Sequence, residues 1–399
     1  MAQIELIATA TFGLEAVVAR EVKNLGYEDV RVENARVIFS ADESAICRGN
    51  LWLRSADRVL IKMGEFKALT FEELFEGTKA LPWPDWLPEN ACFPVEGKSI
   101  NSKLFSVPDC QAIVKKAIVE KLKQNYHKTW FEETGPKYTI EIALLKDMAT
   151  LTMDTSGAGL HKRGYRKLSS EAPLKETLAA AMVGLSFWDA DRILVDPFCG
   201  SGTIPIEAGL IGLNMAPGLN REFAAESWPQ IPSEVWRKAR EEARDSIRRD
   251  LKLKIIGTDI DTEVLSLARY HAKLAGLEEQ IHFQRLPVTE FRNKHKYGCL
   301  ICNPPYGERL GRMNEIEELY RDLKQVLGPL DTWSFYILTS HPGFERLFGR
   351  KADRKRKLYN GRIECQYYQY YGPRPPLRNN SLNKIEEQLP CANEQQQPE

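Results

Sequence analysis

Apolar positions along the chain change period near the middle, and the change divides it. In the first part, Ile4 to Thr9 is an apolar run of strand length, and Leu14, Val17, Val18, Val22 and Leu25 recur at helical spacing before Gly26 closes them. Val30 to Val32 and Arg36 to Phe39 flank Glu33 and Asn34 as a hairpin, followed by a helix from Asp42 to Ser55 and a strand from Arg58 to Met63. This βαββαβ order predicts a small ferredoxin-like α+β module over residues 1–63. Residues 64–156 read differently. A helix at Thr70 to Leu81 leads to a turn rich in Pro and Trp, a short strand at Cys92 to Val95, a helix at Asp109 to Tyr126, and a hairpin (Tyr138 to Leu145, Met148 to Asp154) turning at Lys146 and Asp147. In the long helix Ile113, Ala117, Val119 and Leu122 are predicted to face the core, while Lys115, Lys116, Lys121 and Lys123 project outward. A solvated face is the simplest account of such a charge run.

From Ala172 strands and helices alternate. Pro173 suits a first helical turn, and Leu174, Leu178, Ala181, Met182 and Leu185 make a buried stripe. Ile193 to Val195 then ends in Asp196, passes a turn carrying Gly200 and Gly202, and enters a second apolar-periodic helix. A long polar segment, Asn214 to Lys254, includes a charged helix (Ser233 to Leu251) and precedes the strand Lys254 to Thr258, which is closed by Asp259. After it come a helix (Glu263 to Ala275), strands at Ile281 to Arg285 and Cys299 to Cys302, a helix (Glu315 to Leu327), the strand Ser334 to Thr339, and a hairpin around Arg350 to Arg362. The pattern predicts a mostly parallel, doubly wound α/β sheet with an antiparallel edge hairpin over residues 172–372. Residues 157–171 form a basic linker, and the polar segment 373–399 has the composition of a disordered tail.

Composition narrows this little. The 399 residues suit two or three domains. Lys+Arg and Asp+Glu both number 55, so any polyanion site must come from local clustering. Eight cysteines scattered over the whole length do not make a disulfide framework and fit a reduced cytoplasmic setting. Neither a leader nor a run of about 18 apolar residues is present, so no membrane partner is expected.

Candidate chemistry gathers at strand ends, because in open parallel sheets ligands bind outside the carboxyl ends of the strands. The two glycines after Asp196 let a ligand approach the backbone at a helix N-terminus. The loop lacks the third glycine and nearby acid of a dinucleotide site, since Pro205 stands where that glycine would fall. Asp259 is placed to accept from ribose hydroxyls; the competing role, helix N-cap, falls more naturally to Asp261 or Thr262. Asn303-Pro304-Pro305-Tyr306 is the most specific signal. The Asn303 side-chain oxygen and the Pro304 carbonyl offer two acceptors for the two N–H groups of an exocyclic amine, and Tyr306 offers a ring for stacking on the base. Cys299-x-x-Cys302 has no second pair and lies in an apolar strand, so it is read as core and no metal is expected. Gly157 to Lys167 (GAGLHKRGYRK) supplies His161, Lys162, Arg163 and Arg166 as candidate phosphate contacts, with a charged linker as the equally good alternative.

At these residues the chain resembles a known family. DPFCGSGTIPIEA, GTDID and NPPYGERLG, in that order, are similar to the motifs of class I S-adenosylmethionine methyltransferases that modify exocyclic amines. With LHKRGYR, APLKETLAAAM and NMAPGLNREFAAESWP, the pattern resembles the subgroup carrying an N-terminal THUMP RNA-binding domain, and in particular the large-subunit (23S) ribosomal RNA guanine-N2 methyltransferases. The resemblance implies a Rossmann-like catalytic fold and S-adenosylmethionine as cofactor. It implies that Asp196, Phe198, Gly200, Gly202 and Thr203 surround the methionine and ribose parts, Asp259 the ribose, and Ile260 the adenine. It implies Asn303, Pro304 and Tyr306 as the catalytic group and RNA as partner, with Lys115, Lys116, His161, Lys162, Arg163 and Arg166 as candidate contacts. One departure stands out: family members often place an acid after the third strand, and here Pro287 and Val288 occupy that position. Transfer RNA as substrate, adenine N6 as target in RNA or DNA, and an RNA-binding scaffold without activity remain the alternatives.

Overall fold

The computed structural model describes residues 3–168, 174–306 and 313–376. Two seven-stranded sheets carry the chain. The first is built from β1 (Ile4–Ala10), α1 (Glu15–Asn24), β2 (Val30–Glu33), β3 (Arg36–Ala41), α2 (Ser44–Trp52), β4 (Ala56–Lys67), α3 (Phe71–Lys79), β5 (Val95–Ile100), α4 (Val107–Tyr126), β6 (Thr139–Leu145) and β7 (Met148–Asp154). Its strand order is β2-β3-β1-β4-β7-β6-β5. The βαββαβ order is present, but β4 does not stop at Met63. It pairs with β1 over Ala56 to Ile61 and with β7 over Leu60 to Lys67, with a bulge between Lys62 and Gly64. One apolar core, from Val18, Val37 and Ile46 to Val114, Ile142 and Leu151, runs beneath the whole sheet.

Two local expectations need correction. The strand placed at Cys92 to Val95 is instead β5, in which Glu96, Lys98 and Ile100 are exposed and hide the strand signal. Cys92 makes only an isolated bridge to Lys137. The buried face of α4 is Cys110, Val114, Ala117, Ile118 and Leu122, so Ile113 and Val119 lie at its margins.

The second sheet comprises α5 (Glu176–Gly184), β8 (Leu194–Asp196), α6 (Thr203–Gly212), α7 (Ser233–Asp245), β9 (Ile255–Asp259), α8 (Thr262–Leu274), β10 (Ile281–Arg285), β11 (Cys299–Cys302), α9 (Met313–Leu327), β12 (Ser334–Thr339), α10 (Phe344–Phe348), β13 (Arg354–Asn360) and β14 (Ile363–Tyr370). The order is β10-β9-β8-β11-β12-β14-β13: five parallel strands, then an antiparallel hairpin at the edge. It is a Rossmann-like α/β sheet with apolar clusters on both faces. Pro173, the Gly307 to Gly311 part of NPPYGERLG, and the tail beyond residue 376 lie outside the described residues.

The polar segment between β8 and β9 clasps the two sheets together. Its Trp228 stacks on Tyr138 at 4.4 Å, Phe223 and Trp236 join the core of the first sheet, and Glu242 pairs with Arg48 at 2.9 Å. No helix among the described residues is long and apolar enough to cross a membrane.

Candidate active site

The strand order reverses at β8: β9 and β10 lie to one side, β11 and β12 to the other. The carboxyl ends of β8, β9 and β11 open into one cleft of about 840 Å³, which brings together Asp196, Phe198, Thr203, Asp259, Ile260 and Asn303. That volume falls in the range of small-molecule sites.

Asp196 closes β8 almost completely buried, and its Oδ1 accepts from the Phe198 N–H at 3.1 Å. Burial pushes its carboxyl well above the usual carboxylate range, and the Asp259 charge adds to the shift. The turn that follows needs glycine. Gly200 sits at φ +50° and donates its N–H to Asp259 Oδ2 at 3.0 Å, stitching the loop to the end of β9. Gly202 sits at φ +86°, and a Cβ there would lie 3.1 Å from both Ala268 and Phe283. Asp259 is not the helix cap: Asp261 accepts from the N–H groups of Glu263 (2.8 Å) and Val264 (3.4 Å) and caps α8, leaving Asp259 facing the cleft.

The acidic side chains lining the cleft are Asp196, Asp259, Asp261 and Glu263; among the described residues no Lys or Arg lines it. Such a wall repels phosphates and suits a ligand carrying cationic groups and hydroxyl donors. Ile260, 65% exposed, offers an apolar surface to the cleft, which the turn of Pro287, Val288 and Thr289 also lines. These residues fit the methionine, ribose and adenine parts of S-adenosylmethionine.

At the end of β11, Asn303 Oδ1 is buried without a hydrogen-bond partner among the described residues, an acceptor facing the cleft. The Pro305 carbonyl already accepts from the Tyr320 hydroxyl at 3.0 Å. The Tyr306 hydroxyl accepts from Asn360 Nδ2 at 2.6 Å, and burial pushes its pKa up to about 12. Cys299 and Cys302 are fully buried in β11, where burial keeps both thiols protonated. No group of three or more His, Cys, Asp or Glu among the described residues is arranged to hold a metal ion.

Several candidate RNA contacts turn out to be committed elsewhere. Arg163 is buried, donates to the carbonyls of Leu160 and Arg54, and pairs with Glu207 at 3.4 Å, so no phosphate can reach it. Arg166 turns inward as well: it donates to Thr203 Oγ1 and to the Leu174 carbonyl and pairs with Glu176 at 3.2 Å, bracing two walls of the cleft. Lys115 is tied to Glu133 at 2.6 Å and to the Phe93 carbonyl at 3.0 Å, over the Phe93 ring. His161 is held neutral, because burial, reinforced by Lys175, lowers its pKa to about 4. Lys116 and Lys162 are exposed. Sequence reasoning missed Asn360 altogether.

Three family models match in succession: an RlmL ferredoxin-like domain over residues 5–60, a THUMP domain over 68–154, and an RMKL-like methyltransferase domain over 163–369. The chain is 54% identical to the Bacillus subtilis protein named "Putative RNA methyltransferase YpsC", over 96% of this chain and 100% of that one. It is 34% identical to the ribosomal RNA large subunit methyltransferase K/L of Aeromonas hydrophila, over 92% of this chain and 54% of that longer protein. The crystal structure of SMU.472 complexed with SAH is 47% identical and superposes with a TM-score of 0.90, covering 94% of this chain and 100% of that one.

Proposed function

Because the chain belongs to the RMKL-like methyltransferases and is an S-adenosylmethionine-dependent RNA methyltransferase with a THUMP domain, we propose that it methylates N2 of a guanosine in large-subunit ribosomal RNA. The observation that carries this reading is Asn303 Oδ1, a buried acceptor without a partner among the described residues, in an acidic cleft. The ribosomal assignment draws on the name of the K/L relatives. Residues 1–63 and 64–156 present the RNA, 157–171 join the halves, and 172–372 perform the chemistry.

S-adenosylmethionine, when bound, supplies an activated sulfonium methyl. The chain's own part is placement. Asp259 accepts from the ribose hydroxyls, Asp196 and the Gly200 to Thr203 turn hold the amino-acid end, and Phe198, Ile260 and Val288 line the apolar contacts. Asn303 Oδ1 and the Pro304 carbonyl each accept one N–H of the guanine amine. Held this way, the nitrogen lone pair turns out of ring conjugation and points at the cofactor side of the cleft. Tyr306, fixed through Asn360, stacks on the base. As the N–CH3 bond forms and the S–CH3 bond breaks, with its electron pair left on sulfur as a neutral thioether, the amine would become cationic and then lose a proton to solvent, so no strong base is needed. Orientation and exclusion of water supply the rate. Lys116 and Lys162 contact RNA phosphates.

The test is to incubate the protein with methyl-labelled S-adenosylmethionine and unmodified ribosomal RNA, transfer RNA or DNA, then digest and identify the labelled nucleoside. Label in N2-methylguanosine from ribosomal RNA is expected. Label in N6-methyladenosine would overturn the guanine assignment, and label from transfer RNA alone would overturn the ribosomal one. Transfer to none of the three would favour the scaffold.

A further inference from the structure

The β13–β14 hairpin reaches beyond the parallel part of its sheet. Thr339, the last residue of β12, pairs with Gln366, so Ile363 to Cys365 and their partners Leu358 to Asn360 extend past it, on the side where the strands' carboxyl ends open into the cleft. Side chains alternate along β13. Leu358 is buried in the catalytic core, and Asn360, on the same face, holds Tyr306. Tyr359 faces the other way, its ring 6.0 Å from that of Phe12 and inclined at 76°.

Phe12 comes from the first sheet, in the turn between β1 and α1. That turn is pressed onto the hairpin: Gly13 adopts φ +91°, and a Cβ there would lie 2.6 Å from the Lys357 carbonyl. Phe12 is nevertheless 51% exposed, so contact with Tyr359 leaves much of its surface open. Lys357 Nζ stands 5.5 Å from the Tyr359 ring centre and pairs with Glu364 at 2.6 Å, and Glu364 also accepts from the Tyr359 hydroxyl at 3.4 Å. Arg362, exposed at the turn of the same hairpin, makes no ion pair among the described residues. The nearby Glu15 carboxylate is occupied by the N–H groups of Gly13 and Ala35.

We propose that Phe12 and Tyr359, with Arg362, form a stacking platform for an unpaired nucleotide next to the target guanosine. The inference rests on the RNA reading above. Exposed aromatic rings interleaved with cations are the chemistry that holds single-stranded nucleic acid. The target base is taken on the Asn360 side of the hairpin, and the adjoining nucleotide crosses to the Tyr359 side. The platform exists only where the first sheet meets the catalytic hairpin, so the RNA is read across the junction.

The experiment uses the full-length protein with Phe12→Leu, Phe12→Tyr and Arg362→Gln. Leucine keeps apolar packing against Tyr359 but removes the ring; tyrosine keeps the ring. Dissociation constants for a single-stranded RNA oligonucleotide are measured by fluorescence anisotropy, and KM and kcat with unmodified ribosomal RNA in parallel. Phe12→Leu should weaken RNA binding and raise the KM for RNA at least about fivefold, the equivalent of roughly 1 kcal/mol for a lost base stack. Phe12→Tyr should stay within about twofold of wild type, with kcat and SAH affinity unchanged in both. Arg362→Gln should lower the salt slope of binding by about one. RNA binding by Phe12→Leu equal to wild type would overturn the platform, as would a fall in kcat with the KM for RNA unchanged. Binding and turnover separate the two readings: wild-type protein that binds RNA through Phe12 yet places no methyl on guanosine overturns the proposed reaction and leaves the platform standing.

Discussion

Asn303→Ala should lower activity far more than it lowers stability. Asn303 Oδ1 makes no hydrogen bond among the described residues, so its removal breaks no bond between them. The variant should therefore melt close to wild type, against the usual trend for a substitution in a folded interior. During methyl transfer the amine becomes cationic and its hydrogen bond to Oδ1 becomes charge-assisted, worth about 1.5–3 kcal/mol. Loss of that bond corresponds to a fall of roughly 10- to 150-fold in kcat. The assay is single-turnover transfer to unmodified RNA at saturating cofactor, with SAH affinity by calorimetry and Tm by scanning calorimetry. SAH affinity should stay within about twofold, since the ribose and amino-acid groups are held from β8 and β9. A Tm several degrees below wild type would mean that Oδ1 is paired in solution. A cofactor-binding defect with unchanged turnover would assign Asn303 to the wrong half of the cleft.

Two further substitutions probe ionisable side chains drawn toward the interior away from the cleft. Glu207→Gln leaves the Arg163 guanidinium, whose side chain is 2% exposed, without its counter-charge. Stability to urea should fall, by as much as about 3–5 kcal/mol if the pair behaves as other broken buried pairs do. Glu207 does not line the cleft, so kcat in the cold should barely change; an unaltered urea midpoint would refute the pair's importance. His161 is held at a pKa of about 4, against about 6.5 in the unfolded chain. Between those values the unfolded chain binds a proton that the folded one refuses, so stability falls as pH drops through that window. His161→Gln should flatten the acid limb between about pH 6.5 and pH 4. Parallel urea midpoints for wild type and variant across that range would show that the imidazole titrates normally.

What could be read from the sequence depended on whether its signal was local. Cys299–Cys302 and Ser334–Thr339, buried on both faces, are continuous apolar runs and are legible to the residue, as is the edge strand Ile281–Arg285, where buried Ile281 and Phe283 alternate with exposed His282 and Arg285. β5, with one face in water, alternates Glu96 and Lys98 with its inward residues and was misplaced. Asp196, Asp259 and Asn303 were legible as neighbours because each stands at the end of a strand of one parallel sheet. The basic linker misled by its charge count. Arg163 and Tyr165 are buried while Lys162 and Gly164 are exposed, an alternation visible in the sequence, but the partner that draws Arg163 inward, Glu207, is 44 residues away. Asn360 meets Tyr306 across 54 residues, and Trp228 meets Tyr138 across the two sheets; neither contact has a local signature.

The shared strand β4 sets a limit on recombination. The ferredoxin-like match ends at residue 60 and the THUMP match begins at 68, so the seam between two inherited modules falls inside a strand that hydrogen-bonds to both. A crossover there exchanges a ladder as well as a module. Register in a sheet with one buried face tolerates no single-residue slip, because a slip sends every side chain of the strand to the opposite face. Chimeras that graft a foreign THUMP region should therefore retain Ala56 to Lys67 and its bulge from a single parent. Swaps cut within that stretch should assemble poorly even when each module folds well in its own parent.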